Sequence, residues 1–302
     1  MYCERYKYLG AWFTDSGRMK DVMSLHEVKG QSVVNKFSIF CSSNPDMPYC
    51  YKRRVFDAAV LAELTYSSES WLTNNCVSLT NQYNKLMKCL LGVRNNTSSN
   101  LCFIESGIKP VYHVMRVRRK RFLERKLASL EKNEPFHIVY NLCREANSPG
   151  FKFIQSAIQY NTSANPLDCT INLVRYKPED ATEYHTYKSV LNRSLGVHSI
   201  YSDDIYIPDF TRKAFTRIRL MSHDLKIETG RWSRTPRELR VCPCDRHTTQ
   251  TEHHVLMECT LTRQTRQKYD MANKQNLDAL FSETDVDKLC RYVYEVLNVY
   301  RT

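Results

Sequence analysis

The chain has 302 residues, which is long enough for two or three compact units with cores of their own. With 42% hydrophobic and 25% charged residues, its composition is ordinary for a globular protein. Its 44 lysines and arginines exceed its 32 aspartates and glutamates, and the resulting net charge of +12 indicates a polyanionic partner such as nucleic acid or an anionic membrane surface. No secretory signal is apparent and the longest apolar run, near residues 58–64, is too short to span a bilayer, so we expect a nuclear or cytoplasmic protein that is neither secreted nor inserted in a membrane.

The first predicted element is a short strand over residues 6–13. This stretch is rich in aromatic residues and is followed by Asp15, Ser16 and Gly17, which are typical turn residues. No strand precedes it, and a single strand cannot satisfy its own backbone hydrogen bonds. We therefore expect it to pair with a distant segment or with another chain.

Three helices are predicted after the strand. Apolar residues recur at helical spacing over residues 19–41, and a run of turn-forming residues ends the pattern. A second helix is predicted over residues 49–65 and a third over residues 77–91, where Gly92 is a favourable C-terminal cap. Three cations near the start of the second helix would extend a phosphate-binding surface: Lys52, Arg53 and Arg54.

A strongly basic helix is predicted over residues 111–130. Apolar residues such as Val111, Met115 and Phe122 can form one stripe of this helix, which leaves a cationic face opposite. The cations would repel one another unless phosphates lay nearby, so we expect them to bind RNA or DNA. A solvated helix face and a nuclear localisation run have the same composition and are the alternatives. The cations are Arg116, Arg118, Arg119, Lys120, Arg121, Arg125 and Lys126.

The residues that follow carry weaker signals. Short helices are expected over residues 137–146 and 184–195, with a break at Ser148-Pro149-Gly150 and a loop over residues 161–168 between them. Three more helices are expected over residues 208–223, 261–273 and 284–300. The last two would close a core over the loop that precedes them.

That loop, residues 242–259, carries the sharpest signal, because three cysteines and three histidines lie close together in it. We predict that Cys242, Cys244, His254 and Cys259 form a closed Cys3His set, which is the pattern of a structural zinc site and not of a catalytic one. His253 is the competing histidine ligand, and the C-x-C spacing of the first pair is tighter than the usual C-x2-C. The alternative is that these are ordinary buried thiols and surface histidines. The other nine of the twelve cysteines are expected to be structural thiols in a reducing compartment.

Several segments together resemble one protein family. They are YKYLG at residues 6–10, VLAELTY at 60–66 with ESW at 69–71, LLGV at 90–93, GIKP at 107–110, FTRIRL at 215–220, and the E-x-H-x4-C ending from Glu252 to Cys259. This order is similar to the end of the palm, the thumb and the zinc knuckle of reverse transcriptases from LINE-type (non-LTR) retrotransposons.

The resemblance implies a mainly α fold: a helical thumb-like bundle with a short N-terminal strand remnant and a small zinc-knuckle C-terminal domain. It also implies four consecutive segments. They are a palm-end strand remnant (residues 1–17), a thumb-like helical domain (18–134), a helical and loop linker region (135–207) and a zinc-binding domain (208–302).

Polymerase chemistry in that family depends on metal-binding aspartates in an aromatic-x-Asp-Asp turn upstream of the strand. The Asp-Asp pair of this sequence, Asp203 and Asp204, lies on the other side of the thumb-like region and is expected to be a plain loop. We therefore predict no catalytic residues and no polymerase activity of this chain on its own.

The predicted function is binding of RNA or target DNA by a fragment of a reverse transcriptase, with structural zinc and with a separate catalytic half as a further partner. One alternative is a zinc-stapled protein-interaction module whose N-terminal strand is a docking edge. The other is polymerase activity that is retained only when the chain is joined to a catalytic half.

Overall fold

The computed structural model confirms that the chain is mainly helical. It describes residues 3–8, 11–16, 18–71, 76–129, 134–176, 182–202 and 205–301. The predicted Asp203 and Asp204 loop therefore lies outside the described residues. Within the described ranges, no helix is both long and apolar enough to cross a bilayer.

The strands are β1 (Arg5–Tyr8) and β2 (Ala11–Thr14). The helices are α1 (Met19–Ser43), α2 (Tyr49–Val55), α3 (Leu61–Leu64), α4 (Val77–Leu91), α5 (Ser99–Ser106), α6 (Val111–Ala128), α7 (Pro135–Glu145), α8 (Pro149–Ile158), α9 (Asp168–Arg175), α10 (Thr182–Thr186), α11 (Asp209–Arg219), α12 (Lys226–Trp232), α13 (Arg263–Lys268), α14 (Leu277–Phe281) and α15 (Val286–Asn298). The described residues also form wider π-helical segments: Phe56–Val60, which joins α2 to α3, Tyr187–Leu191, which extends α10, and His254–Glu258.

The N-terminal strand prediction is wrong in its pairing. β1 and β2 form an antiparallel hairpin in which Arg5 faces Thr14 and Tyr8 faces Ala11. The single predicted strand is therefore two short strands that pair with each other along one edge, so its partner is local and not distant. The two residues between them, Leu9 and Gly10, lie outside the described residues.

Helix ends follow the local signals where those signals are strong. α4 ends at Leu91 as predicted, and Gly92 takes the left-handed conformation with φ of +73°. The N–H of Gly92 donates to the carbonyl of Cys89 (3.1 Å) and the N–H of Val93 to that of Lys88 (3.1 Å). This is the Schellman arrangement, which satisfies carbonyls that the helix end leaves open.

The expected break at Ser148-Pro149-Gly150 is confirmed only up to Ser148, because α8, which was not predicted, begins at Pro149. The Ser148 hydroxyl accepts a hydrogen bond from the N–H of Phe151 (3.2 Å), and Pro149 occupies the first helical position. Serine and proline are common in breaks, but they also favour a helix start. An N-cap serine accepts a hydrogen bond from a free N–H of the first turn, and proline at the first helical position has no N–H that needs a partner.

The chain forms two compact units, each assembled from separate stretches. The first comprises Met1–Phe37, Phe56–Lys85 and Lys109–Asp168, and the second comprises Ser38–Val55, Leu86–Ile108 and Cys169–Thr302. The four consecutive segments expected from the sequence stay a prediction.

An aromatic cluster forms the core of the first unit. The ring of Phe56 lies 5.7 Å from that of Phe37 and 5.4 Å from that of Tyr83, measured between centroids. The buried Trp71 packs edge-on against His26 at 4.7 Å. These contacts join the π-helical segment and α4 to α1 within this unit.

The second unit combines apolar packing with buried ion pairs. Phe210 of α11 contacts Tyr294 of α15 with ring centroids 5.0 Å apart, and Phe215 contacts Phe281 of α14 at 5.7 Å. Asp209, at the start of α11, is fully buried together with two of its charged partners, Lys52 and Arg212. The C-terminal helices of this unit pack around the Cys and His loop.

Candidate metal centre

A tight loop positions the first two cysteines. Val241 and Thr249 form an antiparallel bridge, and the N–H of Cys242 donates to the carbonyl of Thr248 (2.7 Å). Inside the loop the Asp245 carboxylate accepts hydrogen bonds from the N–H groups of His247 and Thr248, both at 3.0 Å. The loop is therefore held by its own backbone and by Asp245, which lets a C-x-C pair present both sulfurs to one point.

A π-helical turn positions the other two candidates. His254 begins the turn and Cys259 follows it, and the N–H of Cys259 donates to the carbonyl of His254 (2.8 Å). The guanidinium of Arg266 in turn donates to the carbonyl of Cys259 (2.7 Å). The Tyr292 hydroxyl of α15 donates to the carbonyl of Leu256, so a C-terminal helix holds this turn in place.

The four predicted side chains lie together. The sulfurs of Cys242 and Cys259 are 3.6 Å apart, and the Cys244 sulfur is 3.3 Å from Nε2 of His254. All four ligand atoms lie within 4.8 Å of one another, and Cys242, Cys259 and His254 are buried. A tetrahedral ion with metal–sulfur bonds of about 2.3 Å would separate two sulfurs by about 3.8 Å, so the cluster has the size of one metal site.

The structure also distinguishes the three histidines of the loop. His254 directs Nε2 at the cluster, while its Nδ1 lies 3.5 Å from a carboxylate oxygen of Glu258. His253 is exposed, with its Nδ1 3.2 Å from the other oxygen of Glu258, and His247 is also exposed. His254 is therefore the histidine of the cluster, as predicted, and His253 is not.

Tyr300 was not predicted, and it lies against the cluster. Its hydroxyl donates a hydrogen bond to the Cys259 sulfur (2.9 Å). Burial acts to raise the pKa of Cys259, but this hydrogen bond and others outweigh it, so the pKa is lowered overall. Tyr300 lies beyond α15, and no spacing in the sequence links it to the loop.

The other two thiols resist ionisation by themselves. Burial raises the pKa of Cys242, and burial followed by hydrogen bonding with Cys242 and Cys259 raises the pKa of Cys244 to about 12. Grouped thiols that cannot all ionise alone become thiolates when a divalent cation is bound among them. The cluster could hold a metal ion on these grounds.

A buried histidine–glutamate pair next to the Cys and His loop was also not predicted. Nε2 of His223 lies 2.9 Å from the carboxylate of Glu252, and both side chains are buried. Burial opposes ionisation of Glu252, but the contact with His223 prevails and its pKa is lowered. Glu252 is the glutamate of the E-x-H-x4-C ending, so its position was marked in the sequence while its partner was not.

The cations of the second unit divide by burial. Lys52 is fully buried, with its ammonium 2.6 Å from Asp209, so the prediction that it binds phosphate is wrong. Arg53 is partly exposed and its guanidinium lies 3.5 Å from the Tyr49 hydroxyl, whereas Arg54 is exposed and lies over the ring of Tyr51. Arg53 and Arg54 thus stay candidates for phosphate binding.

The cations of α6 divide in the same way within the first unit. Arg119 is buried, with 2% of its surface exposed, so it is not part of an open cationic face. Arg121 and Arg125 are exposed. The others are half-buried and make contacts inside the unit: Arg116 over the ring of Tyr160, Arg118 with Thr65, Lys120 with the carbonyl of Tyr160, and Lys126 with Glu134.

Comparison of the chain with protein-family models, with curated proteins and with solved structures found no match. The resemblance to LINE-type reverse transcriptases therefore stays a prediction. The chemistry of the named side chains is what supports a function.

Proposed function

We propose that this protein binds RNA or DNA and that one structural zinc ion holds its C-terminal loop. In this proposal the chain is the thumb-like and zinc-knuckle part of a protein similar to LINE-type reverse transcriptases, and it has no polymerase activity on its own. The observation that carries the zinc assignment is the convergence of the four predicted ligand atoms within 4.8 Å.

The donor set favours zinc in a structural role. Three thiols and one imidazole are the soft and borderline ligands that zinc takes in closed sites, and four protein ligands leave no position for a substrate or a reactive water. Nδ1 of His254 lies 3.5 Å from a Glu258 oxygen without a hydrogen bond, so the ligand role of His254 rests on Nε2, which is 3.3 Å from the Cys244 sulfur.

Metal analysis of protein purified without added zinc tests this assignment. We expect one equivalent of zinc, which is lost when Cys259 is replaced by Ser and retained in a Cys290→Ser control, because Cys290 is buried in α15 and is not in the cluster. A folded protein that contains no metal would refute the zinc site.

The distribution of charge supports nucleic-acid binding. The net charge is +12, and α6 exposes Arg121 and Arg125 while Arg116 and Lys126 are partly exposed. Such a surface attracts phosphates, and each phosphate that it neutralises releases a condensed counterion. Affinity should therefore fall steeply with salt.

A salt titration tests the nucleic-acid proposal. We expect affinity for single-stranded RNA to fall steeply between about 50 and 200 mM salt, with a smaller slope for the Arg121→Gln, Arg125→Gln double variant. A slope close to zero would contradict it. Primer extension by the purified chain is expected to give no product, and sustained extension would contradict the proposal that the chain has no polymerase activity on its own.

One observation favours the second candidate, a zinc-stapled protein-interaction module. Ile138, Val139 and Leu142 of α7 are each more than half exposed. Exposed apolar side chains on one helix are typical of protein contacts. Binding to a protein partner that is insensitive to salt, together with no affinity for RNA or DNA, would favour this candidate.

A further inference from the structure

A cavity in the first unit lies between α6 and the end of α8. It has a volume of about 260 Å³ and is lined by Arg116, Arg119, Phe153, Ser156, Ala157 and Tyr160. Arg119 and Ala157 are buried and form its inner part, whereas Ser156 is exposed at its mouth. A cavity below the ~300–1,000 Å³ of sites for drug-sized ligands suits a small group or the end of a chain.

The lining of this cavity is cationic. Arg116 and Arg119 stand one helical turn apart, and among the described residues no carboxylate lines the cavity. Burial is the main cause of a lowered pKa at Arg119, and the charge of Arg116 lowers it further, while Cys76 and Glu69 act in the opposite direction. Two guanidinium groups that face one small space favour an anion with two negative charges.

The aromatic wall of the cavity is held in position. The Tyr160 hydroxyl is 2.8 Å from Nδ1 of His113, and its carbonyl accepts a hydrogen bond from Lys120 (3.0 Å). The guanidinium of Arg116 lies 5.2 Å from the centroid of the Tyr160 ring, and that of Arg119 lies 4.8 Å from the centroid of Phe153. A guanidinium group that is already stacked on a fixed ring loses little side-chain freedom when an anion binds to the N–H edge of that guanidinium group.

We propose that this cavity binds the terminal phosphate monoester of a nucleic-acid strand. A monoester carries a charge of about −1.5 to −2 at pH 7, which matches the two guanidinium groups, whereas an internal phosphodiester carries a single charge. Arg119 and Ala157 of the lining are buried and the cavity is small, so it suits the end of a strand better than its middle. The inference rests on the proposed binding of nucleic acid and names the part of the strand that the first unit recognises.

Fluorescence anisotropy with RNA of about a dozen nucleotides tests the inference. The same sequence is prepared with a 5′ phosphate, with a 3′ phosphate and with hydroxyl groups at both ends, and adenosine monophosphate is titrated separately. We expect one of the two phosphorylated ends to raise affinity about tenfold over the hydroxyl form, as charge-assisted hydrogen bonds do. Arg116→Gln should remove this gain.

Two further variants keep the test decisive. Ser156→Glu places a carboxylate at the exposed mouth and should also remove the gain, even if Arg116→Gln proves unstable. Arg125→Gln removes an exposed cation of α6 outside the cavity and should weaken all three RNAs by the same factor.

The outcomes separate this inference from the proposed function. Equal affinity for all three RNAs, with the usual loss in salt, would overturn the terminal-phosphate site and leave nucleic-acid binding intact. Binding of adenosine monophosphate that depends on Arg116, with no affinity for any RNA, would support the cavity as a phosphate site and overturn the proposed function. No binding of either ligand would overturn both.

Discussion

Replacing Asp209 by Asn should destabilise the second unit strongly. The Asp209 carboxylate is buried and contacts three cations: Lys52 at 2.6 Å, Arg212 at 2.7 Å and Lys213 at 2.8 Å. Lys52 and Arg212 have no exposed side-chain surface, so neither can regain water when the carboxylate is removed.

The size of the loss follows from these contacts. Removing one partner of a buried ion pair costs about 3 to 5 kcal/mol because a buried charge is left without compensation. Arg212 keeps hydrogen bonds to the carbonyls of Leu90 (3.0 Å) and Leu91 (3.1 Å), and the new amide keeps one acceptor oxygen for Lys52. We therefore expect a loss near the lower limit, about 3 kcal/mol in the free energy of unfolding.

Urea unfolding followed by circular dichroism measures this loss, with Asp278→Asn as the matched control. Asp278 pairs with Arg193 at 2.6 Å, but both side chains are substantially exposed, so this variant should lose less than about 1 kcal/mol. The Asp209→Asn, Lys52→Met double variant should lose less than Asp209→Asn alone, because the uncompensated ammonium is gone. Equal losses for Asp209→Asn and Asp278→Asn would refute the reasoning.

Three further predictions concern pH, the end of α4 and the histidine ligand. Burial opposes ionisation of Asp209, but Arg212 and Lys213 lower its pKa from 3.8 to about 2, so its contribution to stability should be complete above pH 4 and lost as the pH falls from about 4 to about 2. Acid titration of the wild type and of Asp209→Asn checks this, and parallel curves would contradict it. Gly92→Ala should lower the free energy of unfolding by about 1 to 2 kcal/mol, because an L-residue at φ of +73° is strained and its Cβ would meet the Lys213 side chain at 2.4 Å. Urea unfolding measures this, and an unchanged midpoint would show that the left-handed cap is not required. His254→Ala should release the proposed zinc ion whereas His253→Ala should retain it. Metal analysis that gave the reverse result would show that His253, and not His254, is the ligand.

The sequence was sufficient to predict those features of the structure that depend on local interactions. Periodicity and Gly92 predicted the bounds of α4, because a helix end is determined by the backbone groups of a few neighbouring residues. The four candidate ligands were predicted for the same reason: they lie in one short loop, and a turn of that length brings its own side chains together.

Local sequence patterns did not predict the strand pairing at the N-terminus or the start of α8. The aromatic segment was correctly expected to be extended, but where its strand divides and pairs is decided by the register of the hairpin. Ser148 and Pro149 satisfy the rules for a break and for a helix start alike, and only the hydrogen bond to Phe151 distinguishes the two.

Only the tertiary structure decided which cations are available to a partner. Lys52 and Arg54 stand two residues apart in one basic run, yet Lys52 is buried against Asp209, which lies 157 residues further along the chain, while Arg54 is exposed. In the same way Tyr300 reaches Cys259 across 41 residues. The sequence by itself determined the helical character, the net positive charge and the ligand loop, since these depend on composition and on near neighbours. Burial and long-range pairing depend on how the elements pack, and no local pattern specifies that packing.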